Sequence, residues 1–160
     1  NLRVRRFRSV LVVLTSVGNS IWAFSLGGGW AEIEGDSGQV IRKGIHQFKS
    51  SIHGVWFGGD GNWMFGLSEN RIAWWNSEDE DISVVNVNGP IQDAYMSDGS
   101  WMITGWRQDL RWSKSQFHSQ PDSGVRAEIG FKIVDRGDEG FWVLDNLGQW
   151  STFAIEGENS

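Results

Sequence analysis

Three histidines are the side chains of this sequence best suited to catalysis or transition-metal binding. His46, His53 and His118 are separated in the sequence, and the chain contains no cysteine. A transition-metal site would therefore need the histidines to converge with carboxylates. Their isolation favours ordinary loop or strand-edge positions, so the sequence predicts no metal site from them.

An acidic loop is the second candidate. Glu78, Asp79, Glu80 and Asp81 are consecutive in "SEDEDIS". Four carboxylates could bind a hard cation, but the alternating aspartates and the glycine of an EF-hand loop are absent. We expect a solvated turn there. Hydrolase, zinc-protease, P-loop and dinucleotide-binding motifs are absent as well, so we predict that the protein is not an enzyme and uses no cofactor.

Tryptophan supplies the remaining candidate chemistry, which is ligand contact. Trp106 lies beside a predicted turn in "TGWRQD", between polar residues. An exposed tryptophan in polar surroundings suits a protein-binding hot spot and also suits sugar stacking. Trp74 and Trp75 are consecutive, so a strand would point one into the core and the other towards a surface. The predicted ligand- or partner-binding residues are Trp106, Arg107, Asp109, Trp56 and Trp75.

Most of the 11 tryptophans recur at a fixed spacing. In each repeat a short strand leads into a glycine-containing turn, a Trp-bearing strand, a second turn and a third strand with Trp. The first set lies 41, 38 and 41 residues apart, and the second set follows it by 8, 12, 11 and 8 residues. The two sets are Trp22, Trp63, Trp101 and Trp142, then Trp30, Trp75, Trp112 and Trp150. We expect these eight side chains to fill the spaces between stacked sheets.

A fourth strand is predicted between the repeated cores. The alternating segments are "QVIRKGI" (39–45), "ISVVNV" (82–87) and "VRAEIG" (125–130). Asp60-Gly61 and Asp98-Gly99 suit two-residue hairpin turns with positive φ. A period near 40 residues with four strands per unit is typical of a propeller blade.

These features resemble the β-propeller class, and WD40-like blades in particular. The resemblance rests on the period, the strand count, the Asp-Gly turn and the tryptophan of the third strand. The Trp-Asp dipeptide and Gly-His signature of true WD40 repeats are missing, so the resemblance implies architecture and no binding residues. It implies one all-β domain over residues 1–160, with four blades of four antiparallel strands. Their approximate bounds are 9–48, 49–89, 90–131, and 132–155 completed by 1–8.

Closure of the ring is the least determined part of this prediction. The fourth repeat ends at "STFAIEGENS" without a fourth strand, and "LRVRRF" (2–7) alternates like one. We expect this N-terminal strand to complete the last blade. Three alternatives stay open: two chains forming one eight-bladed ring, a fragment of a larger propeller, and a different all-β fold such as a sandwich.

Composition bears on partners and location. The net charge of −6 argues against a nucleic-acid-binding surface. No stretch approaches the roughly 20 apolar residues of a membrane span. The absence of cysteine weakly favours a reducing compartment. The N-terminus resembles a signal peptide, although a strand explains it better, and the sequence leaves the location undetermined.

The loops discriminate between two functions. The turns between second and third strands are "LGGG", "SEN", "WRQD" and "NLG", which differ in charge and size. A lectin-like propeller with one sugar site per blade should repeat these loops. The divergence favours a non-enzymatic scaffold that binds a protein partner on an irregular surface. A carbohydrate-binding propeller is the alternative, and homo-oligomerisation is compatible with both.

Overall fold

The computed structural model describes residues 10–78, 82–106, 108–113, 116–119, 130–135 and 141–153. These residues form fifteen β-strands and no helix, as the turn-rich, helix-poor sequence predicts. Within the described ranges, no helix has the length and apolarity that crossing a membrane would require.

The strands are grouped into four sheets. The first contains β1 (Leu11–Val17), β2 (Ser20–Ser25), β3 (Gly29–Glu34) and β4 (Val40–Ile45). The second contains β5 (Ile52–Gly59), β6 (Asn62–Leu67), β7 (Arg71–Asn76) and β8 (Ile82–Asn86). The third contains β9 (Ile91–Ser97), β10 (Ser100–Gly105), β11 (Gln108–Ser113) and β12 (Gln116–Ser119). The fourth contains β13 (Gly130–Asp135), β14 (Phe141–Asp145) and β15 (Trp150–Phe153).

Each sheet is a meander in which sequential strands pair antiparallel. The predicted blade organisation of the sheets is therefore confirmed. One strand was assigned wrongly: the fourth strand of the third sheet is Gln116–Ser119, which pairs with β11, and not "VRAEIG". The "QFHS" segment is short and lies in a polar stretch, so its sequence carries little strand signal. The predicted N-terminal strand, residues 2–7, lies outside the described residues.

The hairpin turns follow from residue type. Asp60 and Gly61 have φ of 46° and 73°, and Asp98 and Gly99 have φ of 48° and 70°. Positive φ at both central residues is the geometry that matches the right-handed twist of two antiparallel strands. Aspartate and glycine tolerate this conformation, so the two predicted turns are confirmed.

The chain divides into two compact units, residues 1–55 and 56–160. The first unit contains an aromatic cluster on one face of the first sheet. Trp22 stacks on Phe24 and Trp30, with ring centroids 6.2 and 5.8 Å apart. Arg42 lies 5.2 Å over the Trp22 ring and forms an ion pair with Glu32. Large aromatic rings and a cation–π contact therefore cover one face of the first sheet.

The second unit has its core between successive sheets. From the second sheet, Met64, Ile72 and Trp74 form one cluster with residues of the third. Those partners in the third sheet are Ile91, Ala94, Trp101 and Ile103. On the opposite face of the third sheet, Met102 clusters with Ile133, Phe141 and Val143 of the fourth. The third sheet is therefore packed on both faces, which is why its β10 is buried throughout.

Two of the repeated tryptophans are not core residues. Trp22, Trp63, Trp75 and Trp101 are buried as predicted, but Trp142 is 38% exposed and Trp150 is 51% exposed. The reason is strand alternation. Phe141 and Val143 point towards the third sheet, so Trp142 between them points to the other face. The prediction that these two side chains fill a space between sheets of this chain is wrong.

Candidate binding surface

Trp106 occupies the tip of the hairpin between β10 and β11. Gly105 pairs with Gln108, and Trp106 is the first residue of the connection between them. The Trp106 side chain is 46% exposed. Its backbone N–H donates a 3.1 Å hydrogen bond to the carbonyl of Pro90, which directly precedes β9. A large aromatic side chain is therefore displayed to solvent from a backbone that is itself anchored.

Two glycines allow Trp106 and the end of β10 to lie close to the backbone around Pro90. A Cβ at Gly89 would lie 2.9 Å from Trp106 Cβ and 3.3 Å from its Cδ1. A Cβ at Gly105 would lie 2.4 Å from the carbonyl oxygen of Pro90. The base of the indole thus rests on the Gly89 backbone, which restricts the rotamers of Trp106. A restricted side chain loses less conformational entropy when it binds a partner.

The first sheet contains a position equivalent to that of Trp106. Leu26 is the first residue after β2, as Trp106 is the first after β10, and its N–H donates a 2.9 Å hydrogen bond to Val10, which precedes β1. Leu26 is exposed. The positions that follow β6 and β14 are Ser68 and Asn146. The residue that follows the second strand therefore differs in all four sheets.

A second exposed apolar side chain lies at the tip of the β14–β15 connection. Leu147 is exposed, and its backbone N–H donates to Asp145 Oδ1 at 2.9 Å. Asp145 is buried and also accepts the N–H of Gln149 at 2.8 Å. The turn is therefore held in shape by one carboxylate, and Leu147 is presented from a fixed backbone.

The structure does not gather all five predicted site residues. Arg107 lies outside the described residues, and Asp109 is described only as a backbone partner of Thr104 in β11. Trp56, on β5, is partly buried against the core cluster of the second and third sheets. Trp75 is 2% exposed and packs on Phe65, with ring centroids 6.3 Å apart.

The expectation that one of Trp74 and Trp75 reaches a surface is therefore wrong. The two do point to opposite faces, because Trp75 pairs with Trp63 and Trp74 with Met64. Both faces of the second sheet are buried at this point, however, and Trp74 Nε1 donates to Asn62 Oδ1 at 3.0 Å. Trp106 is the predicted residue whose described surroundings suit partner binding.

His46 has a structural role. His46 lies between Trp30 and Phe48, with ring centroids 5.9 and 5.2 Å away. Burial lowers the pKa of His46 to about 4, so its imidazole is neutral near pH 7 and packs as an aromatic ring. Across the described residues, His, Asp and Glu side chains form no group of three that could hold a metal ion.

No protein-family model matches the sequence, and no curated protein matches it. Solved structures do match. The computationally designed Ika4 protein is 15% identical, with a TM-score of 0.70 and 94% of each chain covered. YCF48 bound to a D1 peptide is 14% identical, with a TM-score of 0.69 over 95% of this chain and 53% of that one. The WD40 repeats of RRP9 are 10% identical, with a TM-score of 0.61 over 94% and 53%.

The extent of these matches differs. The chain spans nearly all of Ika4 but only about half the length of the YCF48 and RRP9 chains. At such low identities the shared property is the fold. The four meander sheets, the Asp-Gly hairpins and these neighbours together show that the chain has a β-propeller fold.

Proposed function

We propose that this protein is a non-enzymatic module that binds a protein partner through the surface around Trp106. One observation carries the proposal: Trp106 is nearly half exposed although its backbone and the base of its ring are held in place. Binding hot spots are enriched in tryptophan, and pre-ordered anchors contribute most to affinity. Arg107 and Asp109 follow in the sequence and would supply the polar rim.

The divergence of equivalent positions favours a protein over a carbohydrate. The position of Trp106 is occupied by Leu26, Ser68 and Asn146 in the other sheets. A multivalent lectin needs similar sites in each blade, whereas a single protein partner needs one irregular surface. Leu147, exposed at the tip of the β14–β15 connection, would give the protein partner a further apolar contact.

One structural neighbour supports a peptide as the ligand. YCF48, which matches 95% of this chain at 14% identity, was solved bound to a D1 peptide. That ligand belongs to YCF48. It supports the more general proposal that a propeller of this shape can present a peptide-binding surface.

The test begins with a displayed library of random peptides selected against the full chain. Affinities of the enriched peptides are then measured for the wild type and for Trp106→Ala. We expect the variant to lose at least about tenfold in affinity, because a hot-spot truncation costs 2 kcal/mol or more. Val84→Ala, which shortens an exposed apolar side chain on β8, is the matched control and should stay within about twofold.

A positioning variant sharpens the test. Gly89→Ala places a methyl group against Trp106 Cβ without needing a positive φ. It should displace Trp106 and weaken peptide binding, at some cost in thermal stability, because the Cβ of Trp106 belongs to a hydrogen-bonded backbone that must shift. Enrichment of no peptide, together with binding of the wild type to a glycan array that Trp106→Ala abolishes, would establish the lectin alternative. Equal affinities for wild type and Trp106→Ala would refute the proposed site.

A further inference from the structure

The last strand of the second sheet has an edge that faces away from the sheet. Among the described residues, β8 (Ile82–Asn86) pairs with β7 alone. The register of this pair continues to Val87 and Asn70, where the Val87 N–H donates a 2.8 Å hydrogen bond to the Asn70 carbonyl. Bonded and non-bonded pairs alternate along antiparallel strands. Ser83 and Val85 therefore bond β7, whereas the N–H and carbonyl groups of three residues point outwards: Ile82, Val84 and Asn86.

The same three residues have exposed side chains. Ile82 is 44% exposed, Val84 is 43% exposed, and Asn86 is exposed as well. Val85 and Val87 lie on the other face and pack against the core cluster of the second and third sheets. An added strand would therefore meet outward backbone groups and exposed side chains without disturbing that core.

β8 lacks the features that usually protect an edge strand. Natural edges are blunted by charged side chains, lysine above all, by proline, or by shortness. β4, the last strand of the first sheet, contains Arg42 and Lys43, and β12 of the third sheet has four residues. β8 has five residues, none of which is charged or proline, and three of them are isoleucine or valine. Its composition therefore suits pairing with another strand.

Acidic residues directly precede β8. Glu78 is exposed, and its backbone N–H donates a 2.9 Å hydrogen bond to Asn76 Oδ1. Three more acidic residues follow Glu78 in the sequence before Ile82. A strand laid antiparallel to β8 would begin beside Asn86 and continue past Ile82 towards this acidic run. Charge complementarity then favours basic residues at the C-terminal end of the added strand.

We propose that β8 accepts an extended segment of a partner protein as a fifth strand of the second sheet. Backbone hydrogen bonds with Ile82, Val84 and Asn86 hold the segment, as in other cases of strand addition. The segment consists of uncharged strand-forming residues followed by lysine or arginine. It runs antiparallel, because the sequential pairs of this sheet do so and antiparallel pairing is slightly more stable per residue. The site lies on a different strand from Trp106 and does not depend on the function proposed above.

Amide hydrogen exchange, followed by NMR on the full chain, tests the proposal directly. The probe is the synthetic peptide Thr-Val-Thr-Val-Thr-Lys-Arg-Lys. In the free chain the N–H groups of Ser83 and Val85 should exchange slowly, and those of Ile82, Val84 and Asn86 rapidly. Excess peptide should slow these three at least about tenfold, because hydrogen-bonded amides exchange only after opening. Exchange that the peptide leaves unchanged would overturn the proposal.

A pair of proline variants tests the role of the backbone. Val84→Pro removes an outward N–H, which an edge strand tolerates, and should weaken peptide binding at least about tenfold in fluorescence anisotropy. Ile45→Pro on β4 is the matched control and should stay within about twofold. The hydrogen bond from His46 N–H to the Gly28 carbonyl places the Ile45 N–H outwards by the same alternation. Far-UV circular dichroism establishes folding, and Val84→Lys, which repels the basic peptide, serves if Val84→Pro does not fold. Unchanged affinity in the folded Val84 variant would overturn the proposal.

Two further measurements test the occupant and its charge. Slow exchange of the Ile82, Val84 and Asn86 amides in the free chain would overturn the proposal, because the edge would already be paired. Dependence of that exchange on chain concentration would assign the edge to a second copy, and independence to a segment of the same chain. The peptide Thr-Val-Thr-Val-Thr-Glu-Asp-Glu should bind at least about tenfold more weakly, since its charges meet the acidic run. Equal affinity of the two peptides would overturn the assignment of a basic segment.

Discussion

The carboxylate of Asp93, on β9, accepts a 2.9 Å hydrogen bond from the backbone N–H of Ile133, on β13. The same oxygen lies 2.9 Å from Lys132 Nζ. Asp93 is buried, whereas the Lys132 side chain is 59% exposed. One carboxylate therefore links the first strands of the third and fourth sheets, next to the apolar cluster that contains Met102.

We expect Asp93→Ala to destabilise the protein by about 2–3 kcal/mol, because a buried amide loses a charged acceptor. Lys132→Met should cost less than Asp93→Ala, since the Lys132 amine is largely solvated and the Ile133 N–H still bonds the buried carboxylate. Urea denaturation measures both. Asp36→Ala is the control, because Asp36 is exposed and its contact with Asn19 is 3.5 Å long. A loss for Asp93→Ala no greater than the control would show that the link contributes nothing.

The two tryptophans of the β10 hairpin should separate stability from binding. Trp101 is fully buried, so Trp101→Ala should cost about 3–5 kcal/mol, as large core truncations do. Trp106→Ala should cost less than about 1.5 kcal/mol, because much of its ring is already in water. Chemical denaturation compares them directly. Equal losses would make Trp106 a core residue and remove the proposed binding surface.

Stability should fall with acid partly because of His46. Burial depresses the pKa of His46 to about 4, below the usual value of 6.5, so the unfolded chain binds the proton more readily. This contribution is present above pH 6.5 and is lost as the pH falls towards 4. His46→Phe keeps an aromatic ring between Trp30 and Phe48 and cannot titrate.

We therefore expect the wild type to lose more stability than His46→Phe between pH 6.5 and 4.5. The difference should be about 1–2 kcal/mol, after allowance for the partial exposure of the ring to solvent. Carboxylate titration affects both proteins alike and cancels in the comparison. Denaturation midpoints at the two pH values provide the measurement. Parallel pH profiles would mean that His46 does not titrate abnormally.

Gly28 and Gly18 allow a matched comparison of two glycine substitutions. Both have positive φ, 88° and 58°, which disfavours alanine. A Cβ at Gly28 would lie 2.3 Å from the His46 carbonyl oxygen, whereas one at Gly18 would meet nothing within 4 Å. Gly18→Ala should cost about 1 kcal/mol from backbone strain alone. Gly28→Ala should cost at least about 2 kcal/mol more, as the clash forces apart the bonded pair of His46 N–H and Gly28 carbonyl. Similar thermal melts for the two variants would contradict the close contact.

The N-terminal strand remains a prediction. Among the described residues, β15 pairs with β14 alone, which leaves its other edge for "LRVRRF" from the same chain or from a second copy. Deleting residues 1–8 should lower the melting temperature and promote aggregation, because exposed strand edges pair with other chains. Sedimentation and thermal melts of the two forms test this. A shortened chain of unchanged stability, solubility and mass would show that residues 1–8 complete no blade.

The sequence alone determined the architecture of the sheets, because the governing forces are local. A strand alternates every two residues, and an Asp-Gly pair adopts positive φ at little cost, so Asp60-Gly61 and Asp98-Gly99 mark hairpins wherever they occur. The spacing of tryptophans then revealed the blade period. The exposed Trp106 was also predictable, since it is an aromatic residue in a polar turn.

Tertiary structure decided which tryptophans are core. Trp63 is the second residue of β6 and Trp22 is the third residue of β2, and a shift of one residue reverses the face of a strand. Counting from the start of the strand does not separate core from surface either, because Trp142 is the second residue of β14, as Trp63 is of β6, and is exposed. Whether a face is buried depends further on the sheet packed against it. Trp75 is buried and Trp150 is exposed although both occupy third strands. The reason is that the surfaces packed against a residue, and not its type, determine how far it is buried.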